Sequence, residues 1–147
     1  MSVVPSEQDP NGKVTMFTGA CVYALRALVH LARHEGDGPV SSYTIAAAEG
    51  LSENLLLKSL TPLVAAGVLR SEPWRGGRIC LARPAREVSL LEVVEAVDGP
   101  VRGLAPRLGG DGAWLEAELQ GVCDDAAELV RRRLGEVTVA DLAAEKE

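Results

Sequence analysis

Aromatic side chains are scarce in this chain: one Phe, two Tyr and two Trp make up 3% of 147 residues. A core must therefore be built from Leu, Val, Ile and Ala, a set that favours helices. Long apolar runs are missing too. None approaches the roughly 20 residues needed to span a bilayer, so no transmembrane helix is expected. The opening MSVVPSEQDPNGK has no basic stretch followed by an apolar segment, so it does not read as a signal peptide, and a cytoplasmic protein is expected. Cysteines number three, Cys21, Cys80 and Cys123, widely spaced. That odd count argues against a disulfide framework, and reduced thiols are expected. No Ser-His-Asp set, catalytic carboxylate pair, phosphate-binding loop or dinucleotide fingerprint is found, so the sequence points away from an enzyme.

What is present suits one domain with at most one appendage. Apolar residues make up 47%, enough for a packed core. The net charge of −6 argues at first against nucleic acid. Its distribution reverses that argument. Residues 42–83 carry Lys58, Arg70, Arg75, Arg78 and Arg83 against Glu49, Glu53 and Glu72. Residues 111–147 set Arg131, Arg132, Arg133 and Lys146 against ten acids. A locally basic module beside an acidic segment is compatible with DNA, because affinity depends on the local patch.

Residues 1–14 are polar, with Pro5, Pro10 and Asn11-Gly12, and read as a flexible extension. Cys21, Ala24, Leu25, Leu28 and Leu31 recur at helical steps and predict a helix over about 18–33, ended by Gly36, Gly38 and Pro39. Ser41 or Ser42 caps a short helix through Glu49, and Gly50 gives a turn. Ser52 caps the next helix, with Leu56, Leu60, Leu63 and Ala66 on one face, a kink at Pro62 and a stop at Gly67. Two helices joined by so short a turn describe a helix-turn-helix. VLRSE and RICLA then read as strands around PWRGG, forming a β-hairpin wing. Ser89 caps SLLEVVEAV, which ends at Asp98-Gly99-Pro100. Residues 101–111, with three glycines and Pro106, form a loop. In a last long helix over about 113–134, Leu115, Leu119, Val122, Ala126 and Leu129 alternate four- and three-residue steps, the spacing of a helix-pairing seam. A short closing element over 137–147 has Thr138 as its cap.

The succession YALRALVHLA, TIAAAEGLSENLLLKSL, LVAAGVLRS and LARPAREVSLLEVVEAVDGP resembles the Rrf2 family of bacterial regulators across residues 16–103. The resemblance implies a mainly α fold with a small β wing: a winged helix-turn-helix at 15–100, a loop at 101–111, and a dimerisation helix with a C-terminal element at 112–147. It also implies a homodimer on a palindromic operator. The sequence departs from the family in two places. Aligned from Leu81 backwards, Arg78 replaces a wing glycine and Ile79 an aromatic. The loop VRGLAPRLGGD lacks the three closely spaced cysteines of cluster-binding members, so no iron–sulfur cluster, and no other cofactor, is carried over.

The first half of a second helix enters the major groove in this motif. Here it supplies Ser52, Glu53, Asn54, Leu55, Leu57 and Lys58. Asn54 suits an adenine edge, Lys58 a guanine or phosphate, and Leu55 or Leu57 a thymine methyl. Ser52 either reaches DNA or only caps. Arg75 and Arg78 at the wing suit a narrow minor groove, and Trp74 lies on the DNA backbone or covers the hairpin. Cys80 is a redox candidate or a small core residue; Cys21 and Cys123 read as core. His30 and His34 lack a third ligand, so no metal site is expected. Arg131, Arg132 and Arg133 suit a helix C-terminus. The expected function is a DNA-binding repressor with duplex DNA and a second copy as partners. Its signal is a small ligand, thiol oxidation or a partner protein. The alternative is a winged-helix module that binds protein.

Overall fold

Helix caps fix the frame of the molecule, a computed structural model that describes residues 16–72 and 77–145. Thr18 caps α1 (Gly19–Arg33) by accepting from Cys21 N, and Ser41 caps α2 (Ser42–Glu49) by accepting from Thr44 N. Ser52 does the same for α3 (Glu53–Ala65), although at 3.5 Å to Leu55 N. Each hydroxyl satisfies a backbone donor that the first helical turn leaves without a partner. Between α2 and α3, Gly50 takes φ +70° and ψ +36°, the left-handed conformation with which the three-residue turn Gly50–Ser52 begins. Gly67, at φ +79°, ends the next segment in the same way. Helix α3 runs through Pro62 to Ala65, and Ala66 is exposed rather than on the buried face. The extension at 1–14, Trp74 and Arg75 lie outside the described residues.

The wing contains more than the hairpin expected from sequence. Strands β2 (Leu69–Glu72) and β3 (Arg78–Leu81) pair antiparallel, with Arg70 opposite Cys80. A two-residue strand β1 (Val40–Ser41) adds to the other side of β3, giving the order β1-β3-β2. The sheet is therefore tied to the entry of α2 as well as to the exit of α3.

Helices α4 (Leu90–Asp98) and α6 (Val139–Ala144) start side by side. Leu90 N donates to Val137 O at 2.7 Å and Val139 N to Val88 O at 2.9 Å. Both helices open on full capping boxes, Ser89 with Glu92 and Thr138 with Asp141. Helix α6 packs against α1, and Arg33 fixes it there by donating to the carbonyls of Ala143 and Glu145. Leu28, Ile45, Leu56, Leu63, Val68, Val88, Val93 and Val139 are fully buried in one core. Aliphatic side chains fill it, as the scarcity of aromatics requires.

Candidate nucleic-acid interface and α5 face

Burial divides α3 into two faces. Leu56, Ser59, Leu60 and Leu63 point into the core, and the Ser59 hydroxyl donates to Leu55 O at 3.0 Å. Asn54, Leu55, Leu57 and Lys58 are exposed, as is the cap Ser52. Leu55 and Leu57 are about half exposed, at 50% and 44%. Helical spacing gives this division: the positions left outside the i, i+4, i+7 core stripe form one outward ridge. The side chains of Asn54 and Lys58 make no hydrogen bond or ion pair among the described residues, so their polar ends are available outward. The structure brings Ser52, Asn54, Leu55 and Lys58 together on this ridge.

The acids of the module are held by its own side chains. Glu53 accepts from the Ser42 hydroxyl at 2.9 Å, and Glu49 accepts from His30 Nδ1 at 3.2 Å. Glu72 pairs with Arg70 at 3.7 Å. Lys58, Arg70 and Arg78 remain on the surface. Arg78 lies at the start of β3, where its Nη1 donates to Pro39 O at 3.4 Å. Sequence reasoning passed over Tyr43, which is 68% exposed in the first turn of α2. An aromatic at an exposed helical position, in a chain with so few, was the signal available.

Helix α5 (Ala113–Gly135) is 23 residues long but buries only Ala127 and Leu134 within its own chain. One face carries the preceding loop. Glu116 accepts from Leu108 N and Gly109 N, and Gln120 accepts from Ala105 N while donating to Gly103 O. Arg131 donates to Val101 O at 2.6 Å. The loop lies so close that a Cβ at Gly103 would come within 3.2 Å of Cys123 Cβ. The other face is apolar and open. Leu115, Leu119, Val122 and Leu129 are 47–64% exposed, Ala126 is exposed between them, and Trp114 is 68% exposed at the helix start. Apolar faces this long are rarely left in water.

The cysteines fall on three separate elements. Cys21 in α1 is fully buried, and burial, assisted by the charge of Asp98, pushes its thiol up to about 12. Cys80 in β3 and Cys123 in α5 are half-buried. His30 and His34 stack at 4.5 Å, and their Nδ1 atoms are taken by Glu49 and by the carbonyl of His30.

A profile of the Rrf2 family, described as iron-dependent transcriptional regulators, matches residues 17–145. An HTH-type transcriptional regulator of Mycobacterium tuberculosis is 33% identical over 123 residues, 82% of this chain and 76% of the relative. The HTH-type transcriptional regulator IscR of Xenorhabdus nematophila is 28% identical over 130 residues, 85% of this chain and 77% of the relative. Among solved structures, CymR, the global cysteine regulator of B. subtilis, is similar with a TM-score of 0.72 and 25% identity, covering 91% of this chain and 100% of that one. IscR of T. potens is similar with a TM-score of 0.66 and 25% identity, covering 90% and 93%.

The donor groups of this chain do not fit an iron site of the family's kind. The loop at 101–111 offers no thiolate, the three cysteines are dispersed, and among the described residues no three His, Cys, Asp or Glu side chains converge to hold a metal.

Proposed function

The chain belongs to the Rrf2 family of transcriptional regulators, and from that premise we propose that it represses transcription by binding an inverted-repeat operator as a homodimer. The observation that carries this reading is the outward ridge of α3, where Asn54 and Lys58 stand exposed and unengaged beside Leu55 and Leu57. Asn54 pairs with an adenine edge, Lys58 takes a guanine or a phosphate, and a leucine meets a thymine methyl. Ser52 and Tyr43 reach the sugar-phosphate backbone, which fixes the register without carrying sequence information. Arg75 and Arg78 bring the wing to the minor groove.

The exposed apolar face of α5 is the surface for the second copy, with Leu115, Leu119, Val122, Ala126 and Leu129 forming the seam. Pairing these helices sets two α3 ridges about one DNA turn apart, roughly 34–36 Å, so the operator is an inverted repeat. A dimer seated on such a repeat within a promoter excludes polymerase, and repression follows.

The test is selection of genomic DNA fragments on the purified chain, followed by sequencing. An enriched inverted repeat whose binding weakens steeply with salt is the expected result. Absence of any enriched motif, together with capture of one specific protein, overturns this reading in favour of a protein-binding module.

A further inference from the structure

Helix α5 is anchored to its own chain unevenly. Its buried residues, Ala127 and Leu134, lie in the C-terminal half, where a Cβ at Gly135 would stand 3.9 Å from Leu91 of α4. From Ala113 to Ala126 no residue is buried, yet this half carries Leu115, Leu119 and Val122 of the open apolar face. Behind that face, Glu116, Gln120 and Cys123 are half-buried under the connection from α4.

The connection is tied on both sides. Val101 N donates to Glu95 of α4 at 3.0 Å, and Val101 O accepts from Arg131 of α5 at 2.6 Å. Arg131 is itself held by Glu128 at 2.8 Å. Val101 thus braces one helix against the other. The chain then runs back along α5 towards its start. Gly103 O accepts from Gln120 Nε2 at 3.0 Å, and Ala105 N donates to Gln120 Oε1 at 2.9 Å. Leu108 N and Gly109 N both donate to Glu116. Gly103, without a Cβ, closes the gap to Cys123. Backbone groups that an irregular segment would give to water are here given to α5.

The geometry makes α5 a lever. From Ala127 back to Ala113 the helix rises about 21 Å, so a tilt of about 10° carries its first turn about 3.6 Å. One base-pair step is about 3.4 Å along the duplex and about 35° around it. A tilt of that size therefore displaces one α3 ridge from the other by a whole step.

We propose that Glu95, Glu116, Gln120 and Arg131 are positioning residues that set the separation of the two α3 ridges on DNA. They fix the angle between α4, part of the DNA-binding domain, and the half of α5 that meets the second copy. The inference rests on the dimeric DNA-binding reading above.

The double variant Glu116→Ala with Gln120→Ala cuts the ties along 103–109 and leaves the seam and the α3 ridge as they are. Alanine favours helix, so α5 is retained. Fluorescence anisotropy compares the selected inverted repeat with repeats one base pair longer or shorter between half-sites. The unmodified dimer is expected to prefer the selected spacing by about tenfold or more, and the variant by about threefold or less. Arg131→Met, which cuts the brace at Val101, is expected to act in the same direction. Sedimentation equilibrium and far-UV circular dichroism should show both variants dimeric and folded. In the unmodified dimer, the amides of Ala105, Leu108 and Gly109 are expected to exchange hydrogen about tenfold or more slowly than in the double variant. Equal spacing preference in the unmodified chain and the variants overturns the proposal, even where the variants free these amides. Fast exchange in the unmodified dimer also overturns it. So does a monomeric variant, because the ties then hold the seam together rather than set its angle. With no repeat selected from DNA, the regulator reading falls and the positioning role with it, and slow exchange then upholds the ties alone.

Discussion

The Ser42 hydroxyl donates a 2.9 Å hydrogen bond to Glu53 Oε2 across the turn between α2 and α3. Ser42 is only 6% exposed, and Glu53 is the first residue of α3. The bond turns a negative charge away from the ridge that carries Asn54 and Lys58 and links the two helices directly. Ser42→Ala leaves the half-buried carboxylate without this donor and is expected to cost about 1–2 kcal/mol. Replacing both partners, Ser42→Ala with Glu53→Leu, is expected to recover most of that loss, because no unpaired polar group remains. Urea denaturation of the three proteins checks it; a double variant no more stable than Ser42→Ala speaks against the pairing.

On DNA, the ridge residues are expected to fail in different ways. Lys58→Ala weakens binding across sequences and lowers the slope of log affinity against log salt by about one when its contact is a phosphate. Asn54→Ala is expected to cost about 1–3 kcal/mol and to relax preference at one base pair. Fluorescence anisotropy at several salt concentrations, on the selected repeat and on point-changed repeats, separates the two. An Asn54→Ala protein with undiminished preference removes Asn54 from base readout.

At the α5 seam, a charge is expected to break the dimer and spare the fold. Leu119 and Val122 are 47% and 64% exposed, so Leu119→Glu and Val122→Glu disturb little within one chain. Sedimentation equilibrium should show a shift towards monomer with the far-UV circular dichroism retained. A variant that stays dimeric moves the interface elsewhere.

Thiol chemistry should follow burial. Cys21, fully buried with its thiol raised to about 12, stays protonated at pH 8 and out of reach. Iodoacetamide is expected to label only Cys80 and Cys123 in the native protein, and Cys21 after denaturation. Mass spectrometry of the digested protein reads this directly, and native labelling of Cys21 contradicts it.

Acid should weaken the α4 cap. Burial alone raises the Glu92 carboxyl, but hydrogen bonds from Arg83 and Ser89 N, with the Arg83 charge, outweigh it and hold the group below its usual 4.5. A lowered folded value adds stability that is complete above the unfolded value and disappears as pH falls through the folded one. The Arg83–Glu92 pair is partly exposed, with 34% and 41% of the side chains accessible. Arg83→Met should therefore cost no more than about 1 kcal/mol near pH 7. The difference from the unmodified chain should vanish in acid below the folded value. Thermal melts across pH check it, and a gap that persists in acid points to lost packing instead.

Local chemistry was legible in the sequence and remote chemistry was not. The caps Ser52, Ser89 and Thr138 and the turn at Gly50 each act within four residues, and helices followed wherever they were expected. The outward ridge of α3 and the open face of α5 follow from the same short periodicity. Strand β1 has two residues and exists only because β3 offers an edge, so no pattern announces it. The bonds from Glu116, Gln120 and Arg131 to the loop join residues up to 30 positions apart. Ala66 continues the apolar spacing of α3 but lies beyond its last buried turn.

The shared start of α4 and α6 also bears on how the protein is made. Val139 is fully buried in the same core as Leu28 and Leu56, and it is held there by the backbone of Val88. Synthesis must run past residue 144 before the DNA-binding domain can close its core. A nascent chain that already carries α3 and the wing therefore still lacks a wall of the scaffold that positions them. Domains generally fold as units once their sequence is available. Operator occupancy should thus begin only after α6 has emerged, which couples the regulator's activity to completion of translation through this segment.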